Sequence, residues 1–272
     1  MLRPVHSELI DHHFDLVDRP RRIVSLVSSA SEAIHEMGLV ERLVGVSAYC
    51  GRYLSKPAPP VVGEYLTGDF EKIVALEPDL VLTTTGIQRK LAMKMAARGL
   101  PVFALPLPMG FHGMLENHLL LGRLMNELEV ARQLNRHMER SAMLLRKKAG
   151  GQRPRVYVEL WLGRHMRAVG GGSFIHDLLE IAGADLLFAE RTDGYFTPDF
   201  DEVAVGQPDI HLFFHEPEYL IDPRHLVKER GWEVRTPLVV STVDRGRNVI
   251  QDGPSFLESA AWLQEEIQRV YR

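Results

Sequence analysis

Apolar positions along this chain follow two habits: short β-branched runs without alternation, and longer stretches with apolar residues three or four apart. The first habit suits strands buried on both faces, and the second marks amphipathic helices. Residues 22–28 and 43–47 read as strands, separated by a helix over 32–37 that Ser31 caps and Gly38 ends. Residues 49–68 are rich in proline and glycine and read as loop. A strand at 80–84, a helix over 88–98 stopped at Gly99, and a strand at 101–105 follow. This order predicts a parallel sheet with right-handed crossovers.

From Met114 to Lys148 there is no proline and one glycine, Gly122, with Leu120, Leu124, Leu128, Ala131, Leu134 and Met138 at helical spacing. Uninterrupted, this stretch predicts a rigid strut of roughly 50 Å. A break near Gly122 is the alternative. After Gly150-Gly151 the pattern restarts: strand 155–162, loop 163–173, helix 174–181, strand 185–188 and loop 191–198, then helices near 223–230 and 255–271 around a strand at 238–243. The expected division is a polar, His-containing lead (1–20), an α/β lobe (21–112), a connecting long helix (113–150) and a second α/β lobe (151–272). The fold class is α/β, with two parallel-sheet lobes joined by one long α-helix and a ligand cleft between them.

One phrase occurs twice. Asp69-Phe70-Glu71-Lys72-Ile73-Val74-Ala75-Leu76-Glu77-Pro78-Asp79 leads into Leu80-Val81-Leu82. Asp199-Phe200-Asp201-Glu202-Val203-Ala204-Val205-Gly206-Gln207-Pro208-Asp209 leads, at the same spacing, into Ile210-His211-Leu212. The leading aspartate can cap a short helix, and the proline stops it by removing a donor and clashing one turn back. A unit used once in each half predicts two similar lobes, and two lobes predict a ligand between them.

The 272 residues are 45% hydrophobic and 25% charged, as in a globular protein with a substantial core. A net charge of −4, with Lys and Arg spread along the chain, argues against nucleic-acid partners. Cys50 is the single cysteine, so neither an internal disulfide nor a thiolate metal cluster can form. No run of about 18 apolar residues occurs, and the first residues lack an apolar signal stretch. The expected location is the cytoplasm if Met1 is the native start, and the periplasm or cell surface if a signal peptide was trimmed.

Pro20-Arg21-Arg22-Ile23-Val24-Ser25-Leu26-Val27-Ser28-Ser29-Ala30-Ser31-Glu32, then Gly38, then Leu43-Val44-Gly45-Val46-Ser47, resembles the opening of the type III (cluster A-III, TroA-like) substrate-binding proteins of ABC importers. The first phrase, Gly99-Leu100-Pro101-Val102 and the second phrase through Ile210 continue the match over almost the whole chain after Pro20. The resemblance implies two α/β lobes, one long connecting helix, limited hinge motion and a metal chelate clamped in the cleft. Ser47-Ala48-Tyr49 is most similar to the cobalamin-binding branch. There an aromatic residue before the first short helix stacks on the ligand; Tyr65 holds that place, where the family usually has tryptophan. The implied role is non-enzymatic: a monomer captures a corrinoid, cobalamin, as cargo rather than cofactor and delivers it to ABC importer membrane subunits. A haem or ferric-siderophore carrier is the alternative, and an intracellular corrinoid-handling protein or enzyme on the same fold is the second. In the family one acidic residue per lobe docks onto transporter arginines; Glu71 matches in the first lobe, and Asp201 or Glu202 in the second. Their plainer role is charge near a helix N-terminus.

Ligands of parallel α/β sheets bind outside the carboxyl ends of the strands, which selects loop residues. In the first half these are Ser28, Tyr49, Arg52, Tyr53, Tyr65, Leu66, Thr85 and Gly86. In the second they are Trp161, Arg164, His165, Tyr195, Phe196, His215, Asp244, Arg245 and Arg247. Aromatic rings would stack on a flat macrocycle, and arginines would pair with propionates, phosphate or a siderophore anion. Trp161 suits core as well as cleft, and the arginines suit solvated loops. Gly170-Gly171-Gly172-Ser173 precedes a helix and reads as an anion cradle or a flexible turn. His211 and His215, on one strand, would lie roughly 13 Å apart, too far to share an ion. His12 and His13 fall in the lead, which is expected to fray, and no metal site is expected.

Overall fold

The computed structural model describes residues 1–55, 58–162, 164–216, 219–233, 235–241 and 251–271. The chain divides into two α/β units: Met1–Pro108 with His112–His137, and Met109–Phe111 with Met138–Arg272.

The polar lead does not fray. Its alternating residues form strands β1 (Leu2–Ser7) and β2 (His12–Val17), an antiparallel pair with His6 opposite His13. Leu16 and Ile10 are buried in the first unit, and the Ala104 N–H donates to Ser7 Oγ at 2.9 Å. Five strands and three helices complete most of this unit: β3 (Ile23–Ser25), α1 (Ser28–Glu36), β4 (Leu43–Ser47), β5 (Val61–Gly63), α2 (Phe70–Ala75), β6 (Leu80–Thr84), α3 (Arg89–Ala96) and β7 (Val102–Leu105). The sheet order is β5-β4-β3-β6-β7, parallel throughout. Strand β6 is buried along its whole length, as helices on both faces of a parallel sheet require. Strand β5 lies inside the segment read as loop, and corrects that reading.

The single strut expected over 114–148 is broken into α4 (Phe111–Met125) and α5 (Leu128–Lys148). Asn126 takes a left-handed φ of 56°, the Glu127 N–H donates to the Gly122 carbonyl at 2.7 Å, and the Asn126 N–H donates to that of Arg123 at 3.4 Å. This is the Schellman arrangement, with asparagine in place of glycine. Gly122 lies within α4, where a Cβ would stand 2.6 Å from the Ala131 Cβ. Its missing side chain lets the two helices approach at their corner. Helix α5, roughly 30 Å long, passes from the first unit into the second, to which the short segment Met109–Phe111 also belongs.

The second unit continues with β8 (Arg155–Leu162), β9 (His165–Val169), α6 (Phe174–Ala182), β10 (Asp185–Leu186), β11 (Tyr195–Phe196), α7 (Phe200–Gly206), β12 (Ile210–His215), α8 (Pro223–Glu229), β13 (Leu238–Val240) and α9 (Phe256–Val270). Its sheet order is β11-β9-β8-β12-β13, with β10 also on β8. Strands β10, β8, β12 and β13 run parallel, β9 runs antiparallel to β8, and β11 pairs antiparallel with β9. Residues 163–173 and 191–198, read as loops, therefore contain strands. No helix among the described residues is long and apolar enough to cross a membrane.

The two phrases fold alike. Asp69 and Asp199 each accept a backbone N–H of the helix they begin, from Lys72 and Asp201. Glu77 and Gln207, at matching positions, both take left-handed φ values, 42° and 45°. Asp79 accepts from the Arg21 and Arg22 N–H groups at 2.8 and 3.0 Å, at the start of β3. Asp209 accepts from the Arg155 N–H at 2.7 Å, at the start of β8. The strand after each phrase pairs in parallel with the first parallel strand of its unit, β6 with β3 and β12 with β8. The repeat extends to the aspartates that cap each helix and clamp each strand.

Candidate functional site

All strands of the first sheet end on one edge, and the order reverses around β3, flanked by β4 and β6. Such a switch point opens a crevice outside the carboxyl ends. Helix α1 starts directly after β3 with no side-chain cap, and Ser28 lies half-buried in its first turn. Tyr49 follows β4 and Tyr65 follows β5, its sheet neighbour. Their rings meet edge to face with centroids 6.3 Å apart, and the Arg52 guanidinium lies 4.9 Å over Tyr49. These three side chains are half-buried, a wet edge over an apolar base.

A residue not selected from the sequence organises this edge. Gln88 is fully buried; its Nε2 donates to the carbonyls of Leu26 at 3.0 Å and Tyr65 at 2.6 Å, and its Oε1 accepts from the Thr84 N–H at 2.8 Å. It therefore ties the ends of β3 and β6 to the backbone carrying Tyr65. Its one sequence signal is an amide placed just after a strand end, beside Gly86.

The other candidates of this half divide. Thr85 Oγ1 accepts from the Leu107 N–H at 3.1 Å, and Gly86 is exposed at φ 72°. Leu66 is exposed. Tyr53 is 5% exposed and belongs to the core, which corrects its selection as an edge residue. Cys50 is buried 3.0 Å from Ser47 Oγ, and burial pushes its thiol above the ordinary cysteine range.

In the second unit Trp161, near the end of β8, pairs with His215 at the end of β12. The indole is turned by the core beneath it: Nε1 donates to Glu159 Oε1 at 2.7 Å. Glu159 is fully buried and also accepts from Tyr157 Oη at 2.7 Å and from Arg230, at 2.7 Å to Oε2 and 3.1 Å to Oε1. Burial and the adjacent carboxylate push the Tyr157 phenol far above its ordinary value. The Arg230 guanidinium lies over Phe200 and Trp232, at 4.1 and 4.9 Å. His211 stacks on Trp232 at 4.9 Å, and its buried Nδ1 has no partner among the described residues. Burial, reinforced by Arg230, lowers the His211 pKa to about 4.

His215 is nearly buried, with Nδ1 3.1 Å from the Glu216 carbonyl and its N–H donating to Ser241 Oγ. Arg164 and His165 are exposed beyond β8. Tyr195 and Phe196 are not at a parallel strand end. They pair antiparallel with Val169 and Ala168, and Phe196 sits on Phe188 at 5.3 Å under the Arg191 guanidinium at 4.3 Å. The glycine run is neither a cradle nor a free turn. Cβ atoms at Gly170, Gly171 and Gly172 would stand 2.0–2.2 Å from the carbonyls of Asp193, Ala189 and Thr192, and the first two N–H groups already donate to Gly194 and Arg191. Asp244, Arg245 and Arg247 lie outside the described residues. Glu71 and Asp201 are exposed in the first turns of α2 and α7, whereas Glu202 pairs with Arg191.

The chain is 28% identical over 203 residues to a cobalamin-binding protein of Halobacterium salinarum, covering 72% of this chain and 54% of that protein. It thus spans about half the length of that curated relative. The periplasmic heme-binding protein RhuT of Roseiflexus superposes with a TM-score of 0.76 at 20% identity, over 93% of this chain and 99% of that one. The periplasmic vitamin B12-binding protein BtuF of Vibrio cholerae gives 0.67 at 18% identity, over 93% and 98%. These likenesses show the fold. The periplasmic binding protein profile matches residues 23–234, and the chain belongs to that family.

Proposed function

We propose that this protein captures a corrinoid, cobalamin, and delivers it to an ABC importer outside the cytoplasmic membrane. The observation that carries this reading is the Tyr49–Tyr65 pair with Arg52 over it, at the carboxyl edge of adjacent parallel strands. Two aromatic rings give a broad stacking surface at low entropic cost, and a guanidinium beside them suits a phosphate or amide-rich rim. The cobalamin-binding relative supports the same cargo. Trp161 and His215 supply a second aromatic edge in the other unit. A haem reading draws on the same tyrosines, whose phenols can serve as axial ligands to iron while Arg52 meets a propionate.

Titration with cyanocobalamin, haemin and a ferric hydroxamate, followed by absorbance and heat, separates these cargoes. Cobalamin should bind with one site, and Tyr65→Ala should weaken it at least about tenfold, through loss of one stacked ring and its buried area. Tight binding of haemin alone would remove the cobalamin reading.

Docking on the importer is assigned to Glu71 and Asp201, whose carboxylates make no ion pair among the described residues. The double charge reversal Glu71→Lys with Asp201→Lys should abolish stimulation of the importer's ATPase while leaving cargo affinity unchanged. Full stimulation by that variant would remove the docking role.

A further inference from the structure

We propose that the amino-terminal hairpin binds one divalent transition-metal ion through His6, Asp11 and His13, a site separate from the chelate-binding edge. His6 and His13 are cross-strand partners on β1 and β2, and both are exposed on one face. Their rings stack, with centroids 3.9 Å apart and planes 5° from parallel. Asp11 closes the turn between the strands at φ 49°, and its Oδ1 lies 3.1 Å from His6 Nε2. One ligand atom from each of the three falls within 4.8 Å of the others. A tetrahedral ion with bonds of about 2.1 Å needs ligand atoms about 3.4 Å apart. Small rotations of three exposed side chains close that gap.

The frame beneath them is fixed. Ile10 and Leu16 anchor the hairpin in the core, Ser7 Oγ holds the Ala104 N–H, and His12 Nε2 lies 3.0 Å from the Leu100 carbonyl. His12 thereby faces away from the cluster, as strand alternation demands of the residue next to His13. Ligation asks for no refolding of the backbone, so the ordering cost falls on three side chains alone. Two imidazoles and one carboxylate suit Zn²⁺, Co²⁺, Ni²⁺ or Cu²⁺, whereas Mg²⁺ and Ca²⁺ favour oxygen sets. Three protein ligands leave the remaining positions to water.

The test uses the full chain, stripped with a chelator and titrated with Co²⁺, whose visible absorption reports tetrahedral nitrogen ligation. One equivalent should saturate the signal, and Zn²⁺ should displace it. His6→Gln and His13→Gln should each weaken Co²⁺ binding at least about tenfold, as loss of one ligand predicts. His225→Gln, in the exposed His225–Glu229 pair, should leave it unchanged. The three ligands are exposed, so the metal-free variants should melt with the parent, and Zn²⁺ should raise the parent's melting temperature but not that of His13→Gln. Undiminished Co²⁺ binding by the His6→Gln, His13→Gln double variant, or no binding by the parent at millimolar Co²⁺, would overturn the proposal.

Discussion

Glu159→Ala should destabilise the second unit by about 3–5 kcal/mol, the cost of leaving a buried charge without its partner. Glu159 has no exposed surface, and the Arg230 side chain is 8% exposed. Removing the carboxylate strands the guanidinium, the Tyr157 hydroxyl and the Trp161 indole N–H at once. The double variant Glu159→Leu with Arg230→Met should recover part of the loss, because it deletes both charges and their desolvation penalties while the Tyr157 hydroxyl and the Trp161 N–H stay without their acceptor. Trp161, Trp232 and Trp262 all belong to the second unit, so urea unfolding followed by tryptophan fluorescence reads this unit directly. A Glu159→Ala midpoint equal to the parent's would show that the network contributes nothing. Because Glu159 also aims the indole, the single variant should blur Trp161 at the strand edge even where the fold survives.

Acidification from pH 7 to pH 5 should cost about 2 kcal/mol for each of two buried histidines, one in each unit. His118 and His211 are 2% exposed, and burial lowers both pKa values to about 4. Burial keeps His118 neutral against the opposing pull of its hydrogen bond with Asn135, which orients the ring. The Asn135 Nδ2 donates to the Leu115 carbonyl at 2.9 Å, so its Oδ1 faces His118 Nδ1 at 2.8 Å and that nitrogen carries the proton. The unfolded chain takes up protons near pH 6.5 while the folded chain does not. The stabilising contribution is therefore complete above about pH 6.5 and drains away as pH falls toward 4. Chemical denaturation at pH 7, 6 and 5 avoids most carboxylate titration, and His211→Gln should flatten the slope seen by tryptophan fluorescence. An unchanged stability across that range would contradict the assignment.

The α/β alternation, the repeated phrase and the edge carrying Tyr49 and Tyr65 were legible because local chemistry decides them. An aspartate cap, a proline stop and a β-branched run act within a dozen residues. What escaped depends on partners far along the chain. The hairpin at 2–17 alternates too weakly to declare itself, and it becomes ordered by contact with the strand at 102–105. Helix α4 ends without proline or a terminal glycine, through an asparagine and the close approach of Ala131 to Gly122. Trp161 was ambiguous between core and edge, and its direction is set by Glu159 and, through that carboxylate, by Arg230 some seventy residues later. Tyr53 was read as an edge residue because an aromatic in a glycine-rich segment looks the same whether it faces solvent or closes a core, and the short strand carrying Tyr195 and Phe196 depends on its pairing with Val169 and Ala168.

Asp79 and Asp209 have a consequence for how such a protein can change. Each clamps the beginning of a central strand, at the edge opposite the one bearing Tyr49, Tyr65, Trp161 and His215. On the proposed reading, anchorage and recognition fall on opposite rims of the same sheets. Loops at one rim can be exchanged, lengthened or given new side chains while the other rim keeps the strands in register, so a lineage can move between cargoes without renegotiating its fold.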